Sequence, residues 1–379
     1  MRTNRHDTPG TESGALRMPA LAPPRPRRRE NPGIRRSAPV LTLAGLVVAG
    51  LVLAACGGAS SSQGGHATSG LQNFRIALDY TANVNYLGIY AAIANGYFRD
   101  EGIEPDIIPY ANTPAETLLS AGKTDLGLTY PPSIPAARAG GLDYEAVAGL
   151  TQRNTIAIAV LASSPYRSVA QLNGTLYGGF GVASDEPIID AVLRDAGVRD
   201  PRYREIDLGV DAYQALAAHR VTYSIVFGGI DDVTAELSGV ALREFFIRRY
   251  LGAAASFPDD AFVAMDKAVA ADPGLYRHAL AALARGYEFA AAHPAAAEAI
   301  LVGDNRTALA HAGNIVAATG KATAPTFVDS AGVWGRMDDA DFAGLTSILV
   351  DGGLIPRAEA PTPAEDFTDA LLPSTVSSR

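Results

Sequence analysis

Beyond residue 73 the chain alternates short apolar runs with segments of helical period. Residues 74–78 (Phe-Arg-Ile-Ala-Leu) read as a strand, and residues 86–98 as a helix closed near Gly96. Residues 103–108 form the next strand. Thr113-Pro114-Ala115-Glu116 reads as a capping box with proline at the first helical position, and Gly122 ends that helix. Further strands are expected at 125–128, 146–150, 155–161, 176–180 and 222–227, with a helix over 185–196 capped by Ser184. From Gly274 onward the pattern is mostly helical and rich in alanine. Such alternation predicts an α/β architecture with largely parallel sheets.

The first 73 residues break this pattern. Arg27, Arg28, Arg29, Arg35 and Arg36 precede an apolar stretch over 38–55, which ends at Leu53-Ala54-Ala55-Cys56 followed by Gly57-Gly58. A basic region, an apolar core and small residues before a cut are the requirements of an export signal. With a cysteine directly after the cut, the pattern resembles a bacterial lipoprotein signal. Cys56 would then carry lipid and tether an exported chain to the outer face of the cytoplasmic membrane, two or more acyl chains being enough for stable anchoring. The other reading is an uncleaved membrane span, for which 38–55 is short. Residues 57–73, opening with Gly, Ser, Ala, Gln and His, read as a flexible tether.

Charge then excludes one class of partner. Of 31 basic and 40 acidic residues, residues 1–56 hold nine arginines and three acids; the remainder has 22 basic and 37 acidic side chains. Nucleic-acid binding needs clustered Lys and Arg, which this acidic chain lacks. Cys56 is the only cysteine, so no internal disulfide forms.

Catalytic signatures are poor. Gly122-Lys123-Thr124 resembles the end of a phosphate-binding loop, but Thr117 stands where its first glycine belongs. His66, His219, His278, His293 and His311 are scattered, without metal-ligand spacing. The expectation is a binding protein without enzymatic activity, cofactor or metal. The segment after the first strand stands out: Asp79-Tyr80-Thr81-Ala82-Asn83-Val84-Asn85-Tyr86. Ligand sites of open α/β sheets lie outside the carboxyl ends of strands. One carboxylate, two amides and two phenols there suit a flat polar ligand; equally, Asp79 and Asn83 could only cap the turn while the tyrosines pack.

The block from Leu78 to Tyr90, with Asn95-Gly96-Tyr97-Phe98 and Glu101-Gly102-Ile103, resembles the opening of one family of ABC-importer substrate-binding proteins, the thiamine-pyrimidine-precursor, sulfonate and nitrate group. Further resemblances follow at residues 121–127, 137–141, 286–290, 334–338 and 352–355. The family implies a type II periplasmic-binding-protein fold, two α/β lobes joined by a two-stranded hinge. Lobe one would comprise 74–158 and 262–379, and lobe two 159–261. By the same resemblance Asp79, Tyr80, Asn83, Asn85 and Tyr86 are pocket residues, and Asp231 is the acid after the later strand. Phe180, Asp185 and Glu186 would complete the opposing wall, with Tyr80, Tyr130 and Tyr177 stacking on the ligand. The implied ligand is a small planar heterocycle of the thiamine-pyrimidine-precursor kind, passed by a monomeric binder to an ABC permease and its ATPase. Sulfonate, nitrate or a flavin, or an enzyme related to pyrimidine synthesis, are the alternatives. Arg153 is the one obvious arginine near the site for a sulfonate.

Overall fold

A computed structural model describes residues 70–209, 212–310 and 312–374. The expected signal, Cys56, and residues 57–69 of the expected tether lie outside these, as do His66 and His311. Among the described residues no helix is long and apolar enough to cross a membrane. The described residues contain ten strands: β1 (Gln72–Ala77), β2 (Ile103–Ile108), β3 (Leu126–Thr129), β4 (Tyr144–Gly149), β5 (Ile156–Leu161), β6 (Leu176–Gly179), β7 (Arg204–Asp207), β8 (Tyr223–Phe227), β9 (Leu242–Phe246) and β10 (Ala261–Met265). They form two five-stranded sheets of order β2-β1-β3-β10-β4 and β7-β6-β8-β5-β9.

The sheets share one plan. In the first, β1 is parallel to β2 and β3, whereas β10 runs antiparallel to β3 and β4. In the second, β6 is parallel to β7 and β8, whereas β5 runs antiparallel to β8 and β9. In each sheet the antiparallel strand is the one that has just arrived from the other lobe. Every residue of β5 and of β10 is buried, as expected of strands covered on both faces. The sheets are therefore mixed rather than largely parallel. A lobe boundary at 158/159 also falls inside β5, all of which pairs in the second sheet.

Locally, the expected elements shift by a residue or two and a few change character. The single helix over 86–98 is a short 3-10 turn (Val84–Tyr86), a helix (Leu87–Ala94) and a separate turn (Tyr97–Asp100), broken where Gly96 takes a left-handed φ of 75°. No capping box forms at Thr113, because Pro114 holds the cap position and Glu116 instead accepts from the Thr129 hydroxyl. Ser184 precedes helix Asp185–Asp195 without a side-chain cap bond. Gly122-Lys123-Thr124 is a helix end leading into a strand, with Lys123 N donating to Leu118 O and the Thr124 hydroxyl to Arg75 O. Strands β7 and β9 carry no sequence expectation: β7 is an exposed Arg-Glu-Ile-Asp edge without an apolar face to read.

Two chain segments cross between the sheets, 150–155 going out and 256–260 returning. They are bonded to one another. Leu150 N donates to Asp260 O (2.8 Å), Thr155 donates through its N–H (2.8 Å) and hydroxyl (2.6 Å) to the Asp259 carboxylate, and Asn154 Nδ2 donates to Phe257 O (2.9 Å). The crossings rest on an aromatic stack in the first lobe. Trp334 and Tyr287 lie face to face at 4.8 Å and 3°; Trp334 Nε1 donates to Leu150 O, and Tyr287 Oη donates to Asn85 O. The Tyr287 ring fits only because residue 88 is glycine: a Cβ there would fall inside the ring, and one on Gly286 would meet the Gly88 carbonyl. Helices Leu87–Ala94 and Pro273–Ala292 thus approach at a glycine pair.

The carboxyl-terminal helices do not stay on one lobe. Helix Asp339–Asp351 packs on Ser133–Ala139 of the first lobe and on Asp185–Asp195 and Gly252–Ala255 of the second, where Leu345 is buried in the second core. Helix Gly313–Thr323 packs on Asp231–Leu237. Assigning all of 262–379 to lobe one therefore misses a third link, made by packing rather than by chain connection.

Gly286→Ala is expected to force the two helices apart and destabilise the fold by about 1–3 kcal/mol. A urea titration checks this: the midpoint falls while the slope keeps its wild-type value.

Candidate functional site

The carboxyl ends of β1, β3, β6 and β8 face a cavity of about 620 Å³ between the two lobes, walled by the turns that follow those strands. This is where an open α/β sheet leaves backbone groups and side chains free to meet a ligand. Nine expected residues line it: Asp79, Tyr80, Asn83, Asn85 and Tyr86 from the turn after β1, Tyr130 after β3, Phe180 and Asp185 after β6, and Asp231 after β8. Tyr177 and Glu186 do not. Tyr177 is fully buried behind the wall, where its hydroxyl donates to Asp185 Oδ2 (3.1 Å) and its ring stacks on Tyr223. Glu186, one residue into its helix, turns outward and is exposed.

The turn after β1 is held by its own side chains. Asn83 Oδ1 accepts from Asn85 N (2.8 Å) and Asn83 Nδ2 donates to Thr81 O, so this amide is spent on the turn, as the alternative reading of the motif held. The Tyr86 hydroxyl accepts from Tyr80 N (2.9 Å) and donates to Asp79 Oδ1 (2.9 Å). Burial pushes the Asp79 carboxyl up to about 6; the Tyr86 bond opposes this and nearby Glu116 adds to it. Asn85 Nδ2 donates to Asp260 Oδ2 (2.9 Å), tying the turn to the returning crossing. Burial, and then the charges of Asp79 and Asp259, raise Asp260 well above the usual carboxylate range.

The second lobe repeats one device twice. Asp185 Oδ2 accepts from Phe180 N (3.1 Å), and Asp231 Oδ2 from Phe227 N (2.8 Å), so each acid closes the turn after its strand. Burial pushes Asp185 up to about 7 and Asp231 up to about 6, against those same backbone bonds. Among the described residues, three buried polar atoms on the cavity wall have no hydrogen-bond partner: Asp185 Oδ1, Ser184 Oγ and the Tyr130 hydroxyl. Buried polar groups are almost always paired, so such atoms mark where a ligand completes the set. Around them the surface is aromatic. Phe180 and Tyr130 each meet Phe227 edge-on, at 6.0 and 6.4 Å, and Tyr80 and Tyr110 lie nearly parallel at 6.5 Å on the other wall.

Sequence reasoning missed Asp260, Glu116, Thr129 and Tyr110. Asp260 has a faint signal, two consecutive acids directly before an all-apolar strand, whereas Glu116 in the helix Ala115–Ser120, Thr129 at the end of β3 and Tyr110 in a loop stand in no distinguishing pattern. The lining contains no Lys, Arg or His. Arg153 is elsewhere, its guanidinium donating to Pro325 O (3.1 Å). Among the described residues no group of three or more His, Cys, Asp or Glu is placed to hold a metal ion.

Comparisons with known proteins bear on the same region. A formylaminopyrimidine-binding protein of Halalkalibacterium halodurans is 29% identical over 176 residues, 46% of this chain and 52% of that protein. The chain spans little more than half the length of the curated relatives it matches. Among solved structures, the alkanesulfonate-binding protein of Xanthomonas axonopodis pv. citri bound to MOPS superposes with a TM-score of 0.61 at 15% identity, over 78% of this chain and 98% of that one. A Candida albicans protein described as having the generic periplasmic binding protein structural fold gives 0.58 at 10% identity, over 79% and 97%. At those identities the structures speak for the fold alone, and it is the expected two-lobed one. The family described as NMT1/THI5 like matches residues 83–297, which is more than half of the sequence and takes in both crossings and most of the cavity wall, and the chain belongs to that family.

Proposed function

We propose that this protein is the solute-binding component of an ABC importer, exported and lipid-anchored through Cys56, and that it captures a small planar heterocycle bearing an exocyclic amine, of the thiamine-pyrimidine-precursor kind. The carrying observation is the set of unpartnered buried atoms, Asp185 Oδ1, Ser184 Oγ and Tyr130 Oη, in a cavity lined by acids and, among the described residues, lacking any cationic side chain. Carboxylates accept hydrogen bonds, and an aminopyrimidine offers N–H donors on one edge and two flat faces. The faces suit Phe180, Phe227 and the tyrosines. The name of the Halalkalibacterium relative agrees with this chemistry.

Ligand capture requires no bond making. A molecule held by Asp185 and Tyr130 on one side and by the Asp79–Tyr86 turn on the other favours the closed arrangement of lobes, and the gain is its differential affinity for that state. A permease reading the closed form would then receive the ligand. The alternative, a sulfonate or nitrate, is an anion, and five acids without an arginine make the wall repel it.

Isothermal titration of the purified protein with hydroxymethyl- and formylamino-pyrimidines, a flavin, taurine and alkanesulfonates tests the reading. The pyrimidines are expected to bind; binding of the sulfonates alone would overturn it. Asp185→Asn and Asp231→Ala are each expected to weaken pyrimidine binding about 10- to 100-fold, the cost of a lost charged hydrogen bond.

The raised carboxyls have a consequence for stability. Asp79, Asp185 and Asp231 hold protons more tightly folded than unfolded, with folded values of about 6, 7 and 6. Between roughly pH 4 and pH 7 the native state therefore binds more protons, and these groups make stability fall as pH rises through that window. Melting temperatures of the ligand-free protein across pH 4 to 8 check the sign, and Asp185→Asn is expected to flatten the decline nearest pH 7.

A further inference from the structure

The cavity is larger and more acidic than a lone substituted pyrimidine requires. Such a molecule has about ten non-hydrogen atoms. Allowing each the roughly 30 Å³ that a water molecule takes in the liquid, it fills about 300 Å³, half of the 620 Å³ present. One amine edge also engages only one or two carboxylates, and the wall carries five: Asp79, Glu116, Asp185, Asp231 and Asp260. Asp185 and Asp260 are nine-tenths or more buried and Asp79 is part-buried, and none of the five is matched by a cationic side chain of the wall.

Buried acids at such density stay ionised only beside an opposite charge; otherwise they hold protons. Glu116, on the lobe-one wall, is close enough to raise Asp79, and Tyr80 and Tyr110 lie on that wall with nearly parallel rings. A cation over tyrosine faces gains from the ring quadrupole as well as from the acids. The unpaired Asp185 Oδ1 and Tyr130 hydroxyl belong to the other end of the set, where hydrogen-bond donors are wanted.

From this combination we infer that the ligand is an organic cation with two parts, an amino-substituted heteroaromatic ring joined to a second, permanently charged group of comparable size. The inference rests on the proposed amine-binding role of the cavity and extends it. The ring edge docks on Asp185 and Tyr130, and the charged group occupies the remaining half of the cavity among Asp79, Glu116 and the paired tyrosines.

Isothermal titration at pH 7 with the purified full chain separates the two readings. The probes are thiamine, an aminopyrimidine joined to a cationic thiazolium; the free hydroxymethyl-aminopyrimidine; thiochrome, the neutral fused tricycle in which the amine is closed onto the thiazole ring; and taurine. Thiamine is expected to bind at least tenfold more tightly than either neutral compound, and Glu116→Gln to lower thiamine affinity by a larger factor than pyrimidine affinity. Free pyrimidine binding as tightly as thiamine would overturn the two-part cation and leave the amine-binding reading standing. Thiochrome matching thiamine would overturn the requirement for charge. Binding of taurine alone, or of none of the four, would overturn both.

Discussion

The bonded pair of crossings is the constraint on which the rest of the molecule depends. Each sheet is completed by a strand that has just crossed from the other lobe, β5 in the second and β10 in the first, so each sheet depends on a crossing being in register. Asp259 fixes that register by accepting from the N–H and hydroxyl of Thr155, and Leu150 N closes the second contact on Asp260 O. The same returning segment delivers the Asp260 carboxylate to the cavity, where Asn85 meets it. Hinge and site are thus adjacent residues of one strand lead-in. Under the proposed function, this adjacency is the short physical route by which a ligand contact at Asp260 would reach the crossings.

Around this hinge the protein tolerates an unusual electrostatic arrangement. Asp79, Asp185, Asp231, Asp259 and Asp260 are all raised, and burial is the largest cause in each. Each is held by at least one donor: Tyr86, Phe180 N, Phe227 N, Thr155 and Asn85 respectively. Those bonds orient the carboxylates without cancelling the cost of their burial. The fold carries that cost through apolar burial elsewhere, in β5, β10 and the Tyr287–Trp334 stack, so that the cavity can be acidic. The packing of helix Asp339–Asp351 across both lobes adds a third point at which any opening motion must be accommodated.

Much of this was legible in the residues. The continuous apolar run at 156–161 marks a strand buried on both faces, and the polar turn beginning at Asp79 after the first strand marks the candidate site. The acids after β6 and β8, six residues beyond Gly179 and four beyond Phe227, were legible through the family resemblance. Other features were not. The exposed edge β7 has no alternation to detect, and Tyr177 could not be told from a wall residue because strand register alone decides which face it takes. Glu186 follows Asp185 directly, and a rotation of about 100° per residue along a helix separates a buried acid from an exposed one.

By itself, then, the sequence determined the α/β alternation, the acidity of the folded part, the absence of any disulfide, and the cluster after β1, because these follow from composition and from patterns a few residues long. Tertiary structure alone decided that the crossings bond to one another, that Asp260 and Glu116 join Asp79, and that three described polar atoms on the cavity wall are left without partners. Those facts depend on contacts between residues as far apart as Asn85 and Asp260, and a pattern read along the chain contains no term for the distance between them.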